Sequence, residues 1–231
     1  METRMKTVAL IPIKLDSKRV PGKNIKPFYD GKPLMSFIQQ ACLDAENIDE
    51  VYIYCSDDAV IPYVLPGVKY LKRPGYLDGD TINANDFIRE FMKSVEADIY
   101  VNAHTTSPFA RPETLDDLVA KVAGGEYDSA FCAETIRTFM WEDGKPVNFD
   151  PDHFPRTQDL PLIYGETSIA YVFTRESFIK HSRRLGSHPY IKEVGKIEAI
   201  DIDYPEDFEI AGAIYKEIIK KDEYTDNGLY D

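Results

Sequence analysis

The chain has 231 residues, with 40 acidic against 27 basic side chains and a formal net charge of −13. That field repels nucleic-acid backbones and anionic membranes, which excludes a polymeric phosphate partner while leaving room for a small anion at a local basic pocket. A composition of 43% hydrophobic, 12% aromatic and 29% charged residues belongs to a folded chain of one α/β domain, not to a disordered segment.

In chain order, Met1 to Lys6 leads straight into an apolar run. No run approaches the ~20 residues that span a bilayer, so a cytoplasmic protein is expected. Val8 to Ile13 is predicted as the first strand. It opens into Lys14-Leu15-Asp16-Ser17-Lys18-Arg19-Val20-Pro21-Gly22-Lys23-Asn24, and five bases against one acid fall between Lys14 and Lys26. Such a loop suits phosphates, gripped by backbone N–H groups at the turn through Ser17, Pro21 and Gly22 and by the side chains of Lys18, Arg19 and Lys23. It is not a Walker A loop, and it lacks GxGxxG, so neither an ATPase nor a dehydrogenase is supported.

Leu34 to Cys42 has the apolar period of a helix, Val51 to Cys55 that of a strand, and Ser56-Asp57-Asp58 would cap a following helix. Further strands are predicted at Val68 to Leu71, Ile99 to Asn102 and Ser129 to Cys132, with helices near residues 81–95 and 112–123. This alternation implies a mostly parallel sheet with helices on both faces, whose ligands bind outside the carboxyl ends of the strands. From about residue 137 to 167 the rhythm breaks. Trp141 and four prolines, Pro146, Pro151, Pro155 and Pro161, mark an arm that leaves the core to dimerise or to cover the site.

Regular structure resumes at Ile169 to Phe173, followed by a helix opened by Thr174. The last predicted strand is Ile197 to Asp203, and a helix from Pro205 to about Lys220 follows, with proline and acids in its first turn. Residues 222–231 read as a polar tail. In a strand, Asp201 and Asp203 would face one side, and two adjacent carboxylates suit Mg²⁺ shared with substrate phosphates. Asp207 is either a second partner there or a residue matched to the helix dipole. Cys42, Cys55 and Cys132 lie far apart in apolar segments and read as buried small hydrophobes; no His/Cys spacing suggests zinc.

The basic loop, Thr106-Ser107-Pro108 and Ile200-Asp201-Ile202-Asp203 with Asp207-Phe208 together resemble the acylneuraminate cytidylyltransferases, relatives of the CMP-Kdo synthetases. The resemblance covers nearly the whole chain. It implies a single Rossmann-like nucleotidyltransferase domain over residues 1–221, GT-A-like, carrying an extended dimerisation arm, and a homodimer that uses CTP, Mg²⁺ and a small acidic acceptor. On the matching positions, Lys14, Lys18 and Lys23 would meet the triphosphate, with Ser17 and Arg19 beside them, and Asn24 would lie near the ribose. Arg73, Asp80, Thr81 and Asn83 would fall in the cytosine segment, and Asp201 and Asp203 on the metal. His104, Thr106 and Ser107 would lie on the acceptor side. Arg156 and Gln158, in Pro155-Arg156-Thr157-Gln158, would reach the neighbouring protomer's site.

Lys18, Lys23, Asp201 and Asp203 would then carry catalysis. His104 is a candidate general base, and Arg111, Arg137 or Arg156 could meet the acceptor's carboxylate. The chain departs from the family at Lys14, where arginine is usual, at His104-Thr105 in place of Gln-Pro, and at Glu166 to Tyr171 in place of Asn-Gly-Ala-Ile-Tyr. The nucleotide half therefore matches better than the acceptor half. Three alternatives stay open: a cytidylyltransferase for another acid, such as a phosphonate or a phosphorylated small molecule; a haloacid-dehalogenase-type phosphatase, whose Asp-x-Asp follows its first strand instead of the last; and a non-catalytic nucleotide-binding protein.

Overall fold

The computed structural model describes residues 4–28 and 31–219. The polar tail expected at 222–231 lies outside the described residues, as does Lys220 at the predicted end of the last helix. The core is a seven-stranded sheet ordered β3-β2-β1-β4-β8-β5-β9. Its strands are β1 (Thr7–Ile13), β2 (Glu50–Cys55), β3 (Lys69–Lys72), β4 (Ile99–Ala103), β5 (Ser129–Ile136), β8 (Ile163–Thr174) and β9 (Pro189–Glu193). Strand β8 runs antiparallel to both of its neighbours, and every other pairing is parallel. The sheet is thus mixed and mostly parallel.

Strand β1 carries apolar side chains at Val8, Ala9, Leu10, Ile11 and Ile13, all fully buried, because helices cover both faces. On one face lie α1 (Met35–Asp44) and α3 (Pro112–Ala123), packing Met35, Ile38, Leu115 and Leu118 against Ile11 and Ile13. On the other lie α2 (Ala84–Ser94) and α4 (Arg175–His181), packing Ile88, Phe91 and Phe178 against Leu10 and Tyr100. Proline opens α3, Thr174 caps α4 by accepting from Ser177 N, and Asn83 caps α2. No helix among the described residues is long and apolar enough to cross a membrane.

Two sequence expectations are corrected. After Asp57 the chain makes only a 3-10 turn over Asp58–Tyr63, since Pro62 denies an α-helix its backbone donor. Residues 197–203 form no strand; the last strand is β9, and Gly195 to Ile200 fold into a turn closed by Ala199 N to Gly195 O at 2.9 Å. The turn docks on α3 because Glu198, 3% exposed, accepts from Arg111 N at 3.1 Å beside the helix N-terminus. The apolar-acidic alternation that suggested a strand instead buries Ile202 with Phe28, Phe109 and Phe208 against α5 (Pro205–Glu217).

The arm is also more regular than its composition implied. Strands β5 and β8 run on as a ribbon to the pair Ile136 and Ile163. At the tip, β6 (Trp141–Glu142) and β7 (Lys145–Pro146) form a hairpin that turns through Asp143 and Gly144, both at positive φ. Phe139, Phe149, Phe154 and Trp141 pack ring against ring on it.

Candidate active site

Strand order reverses between β1 and β4, and there a cavity of ≈ 410 Å³ opens at their carboxyl ends. It is lined by Pro12, Ile13 and Lys14 from β1's exit, by Arg73, Asp78 and Asp80 from the segment after β3, and by His104 from β4's exit. Asn24 laces the two exits together, donating from Nδ2 to Lys14 O at 2.8 Å and accepting from Thr105 Oγ1 at 2.6 Å. In this conformation it therefore works as a strut between loops.

The basic loop folds back on the segment before α5. Lys23, only 8% exposed, donates to Ile202 O at 2.6 Å, and its ammonium lies 3.5 Å from Asp203 Oδ1. Arg19 bonds the same oxygen at 2.8 Å and lies over the Tyr204 ring; a hydrogen bond with Tyr204, then the Asp203 charge, raise its pKa although the guanidinium is open to solvent. Lys14 donates to Asp78 O at 2.8 Å, Lys18 pairs with Asp80 at 3.2 Å, and Ser17 Oγ accepts from Val20 N. Lys18 and Asp80 are both exposed, so that pair is weak and can part for a ligand.

Although Asp201 and Asp203 are not on a strand, they remain neighbours because the residue between them is pinned. Ile202 N donates to Thr106 O at 2.8 Å while its carbonyl takes Lys23. Asp207 accepts from Asp203 N and Tyr204 N at 3.0 and 2.8 Å, so its role is to cap α5 and hold Asp203's backbone. Asp201 Oδ2 takes Ser168 Oγ at 3.3 Å, whereas its buried Oδ1 has no partner among the described residues.

An orphaned buried carboxylate oxygen beside a second carboxylate fits a hard cation. No group of three or more His, Cys, Asp or Glu residues among those described is poised to hold a metal alone. Any such ion would take its remaining ligands from substrate oxygens and water, as suits Mg²⁺.

Arg73 is 4% exposed and bound to Asp78 at 2.6 Å and to Tyr54 O at 3.5 Å, making it part of the cavity wall. Asn83 is spent on the α2 cap, accepting from Asn85 N, and Thr81 is exposed on the turn before it. Ser107 is buried, and its Oγ has no partner among the described residues. Arg156 pairs with Asp159 at 2.7 Å on the arm, and Gln158 O accepts from Arg137. Neither Arg156 nor Gln158 is among the residues lining this cavity.

His104 lies within 3.4 Å of Asn102 Oδ1 and 3.5 Å of Arg184 Nη1. Burial, aided by the Arg184 charge, pushes its pKa down to about 3. That shift favours the neutral ring, which in this conformation shares hydrogen bonds with Asn102 and Arg184.

Arg184, beside it, was missed in sequence reasoning. The doublet Arg183-Arg184 before Leu185-Gly186 was the available signal, but only the fold brings it to β4. The three cysteines are buried and free, and burial pushes Cys42 up to about 12.

The cytidylyltransferase family model matches residues 8–222. Among curated relatives, an N-acylneuraminate cytidylyltransferase of Oncorhynchus mykiss is 27% identical over 85% of this chain, which spans about half (48%) of that relative's length. A pseudaminic acid cytidylyltransferase of Campylobacter jejuni is 25% identical over 92% of this chain and 97% of its own. A solved CMP:2-keto-3-deoxy-manno-octonic acid synthetase, complexed with CTP, superposes with a TM-score of 0.70 at 21% identity, covering 92% of this chain and 99% of its own. The 4-diphosphocytidyl-2C-methyl-D-erythritol synthase of Anaerococcus prevotii does so with a TM-score of 0.64 at 14% identity, covering 92% and 97%. These two structural likenesses show the fold.

Proposed function

The chain belongs to the cytidylyltransferase family, and on that premise we propose that it transfers CMP from CTP to an acidic sugar of the nonulosonate or ulosonate type, with Mg²⁺, releasing pyrophosphate. The observation that carries this is the meeting of Arg19 and Lys23 with Asp203, on a segment tied to β4's exit by Ile202 N donating to Thr106 O, with the orphaned Asp201 oxygen two residues before. Cations and carboxylates from opposite ends of the chain are held together where an α/β sheet binds its ligand. The relatives named above, which act on N-acylneuraminate and pseudaminic acid, support the acceptor class.

In the proposed reaction a hydroxyl oxygen of the acceptor, its proton passing to water, attacks the α-phosphorus in line and forms the new P–O bond. The bond from that phosphorus to the bridging oxygen breaks, and pyrophosphate leaves with the electron pair. Lys18, Arg19 and Lys23 offset the charge that grows on the leaving group. Lys23 does so with little reorganisation, because Ile202 O already fixes its ammonium. Asp201 and Asp203 would hold Mg²⁺, which supplies charge neutralisation at the phosphates when bound. Arg73 and Asp78, on the cavity wall, would meet the base, and His104 the acceptor. The arm's exposed Trp141, Val147, Phe154 and Leu162 support a homodimer built on it, through which Arg156 and Gln158 would reach the partner's site.

Pyrophosphate release is the test, with CTP, UTP, ATP and GTP each offered N-acetylneuraminate, pseudaminate and 3-deoxy-manno-octulosonate. Release with CTP alone, dependent on an acid sugar, is expected. Preference for another nucleotide, or CTP binding without turnover on any acid, overturns the proposal.

A further inference from the structure

Beside the cavity, half-buried Arg184 lies flat over Tyr171, its guanidinium carbon 3.3 Å from the ring centroid. Nη1 donates to Asn102 Oδ1 at 3.3 Å and faces His104 Nε2 at 3.5 Å. No carboxylate among the described residues reaches hydrogen-bonding distance of the guanidinium. Glu166 Oε1 stays 3.9 Å away and accepts instead from the Tyr171 hydroxyl. A cation partly removed from water, stacked and paired only loosely with Glu166, gains when a second anion joins it at hydrogen-bonding distance. Desolvation accordingly draws Arg184 below its ordinary pKa, with Tyr171 and Glu166 offsetting only part of the effect.

Two further observations point to a ligand. Asn102, wholly buried at the end of β4, carries an Nδ2 donor that has no partner among the described residues. The backbone on either side of Arg184 is also fastened, although this is a loop. Arg184 N donates to Asn85 Oδ1, Gly186 N to Ser129 Oγ, and Ser187 N and His188 N to Asp128. A Cβ on Gly186 would come within 2.3 Å of the Asp128 carboxylate, so the loop is packed too closely there for any other residue. An arginine held this firmly is preorganised, which limits the entropy lost on ligand binding.

We propose that Arg184 is the specificity-determining residue of the acceptor side, gripping the carboxylate of the acid sugar through Nε and Nη2 while Asn102 and His104 hold an adjoining hydroxyl. A planar fork on a planar anion is the geometry arginine provides and lysine does not. The proposal rests on the cytidylyltransferase function above, and Arg111, Arg137 and Arg156 give way to Arg184, which adjoins the cavity through His104.

The test compares each of the three acid sugars with its methyl ester, which keeps the shape and removes the charge, in calorimetric binding and in pyrophosphate release. Wild-type protein is expected to bind at least one acid ~10-fold or more tighter than its ester. R184Q and R184M should bring acid and ester within twofold and raise the acceptor KM about as much, leaving the KM for CTP unchanged. R184K should keep part of the preference, and R183Q, which removes the same charge one residue away, all of it. Thermal melts confirm that each variant is folded.

An intact preference in R184Q, or none in the wild type, overturns the role of Arg184 while CMP transfer stands. Acid binding that depends on Arg184 but never leads to pyrophosphate release overturns CMP transfer while the acid grip stands.

Discussion

At the scale of single residues, the candidate site holds groups that are poor for stability. Asp201 buries an oxygen that no group among the described residues satisfies. Replacing it with asparagine removes a desolvated charge without emptying space, so D201N should melt at or slightly above the wild-type temperature. Its pyrophosphate release should nevertheless fall by about 10²-fold and need more Mg²⁺. A variant that lost both stability and activity would instead make Asp201 a structural residue. His104 gives a pH signature. Its folded value near 3 lies below its ordinary 6.5, so between those values the unfolded chain binds the extra proton. The stability tied to neutral His104 is present above pH 6.5 and is lost as pH falls toward 3. H104Q should flatten this acid-side loss, by up to about 1.4 kcal/mol per pH unit. Urea midpoints at pH 7 and 4.5 would show it, and equal slopes in the two proteins would rule it out.

At the scale of elements, the site depends on how segments without regular structure are fastened. Phe28, 3% exposed, meets Phe37, Phe208 and Tyr215 with ring centroids 5.2, 5.3 and 5.6 Å away, joining the basic-loop segment to α1 and α5. F28A should cost ~3–5 kcal/mol. In variants that stay folded, it should also weaken CTP binding, because Lys23 and Asp203 meet across the same junction. Unfolding free energy and the CTP Kd check the two halves separately. In β8 the pairing moves from Tyr171 opposite Phe131 to Glu166 opposite Ala133, so the intervening residues bulge. Bulges re-aim side chains beside sites, and here Ser168 is brought to Asp201 while Tyr171 and Glu166 serve Arg184. No period in the sequence marks that shift, which is why the acceptor half was the less legible one.

At the scale of the whole molecule, the arm projects large apolar groups that the protomer itself does not bury, with Trp141 58% and Phe154 63% exposed. Exposed aromatics clustered on a ribbon mark an interaction surface. W141S/F154S is expected to sediment as a monomer where the wild type sediments as a dimer, with the melt of the protomer core little changed. An unchanged sedimentation coefficient would remove the arm from the interface. The α/β alternation, helix α3 with its proline start, β1 and the basic loop were all legible from the chain, because each is local: a period, a cap or a cluster of charge. Strand β9 and the turn at 197–203 were exchanged, since alternating Ile and acid fits a strand as well as it fits a turn whose isoleucines face a neighbouring cluster.

By itself the sequence determined the fold class, the phosphate-seeking loop, the acidic pair and the family they resemble, because these depend on residue types at short spacing. Tertiary structure alone decided that Asn24 is a strut between loops, that His104 sits against Arg184, and that Asp201 and Asp203 are held by Ile202's backbone instead of a ladder. It also decided that Arg184 comes to rest on Tyr171 beside β4. Asn24, Lys23, His104 and Arg184 each take a partner from a segment 80 or more residues away, and those energies exist only once the sheet has brought the segments together.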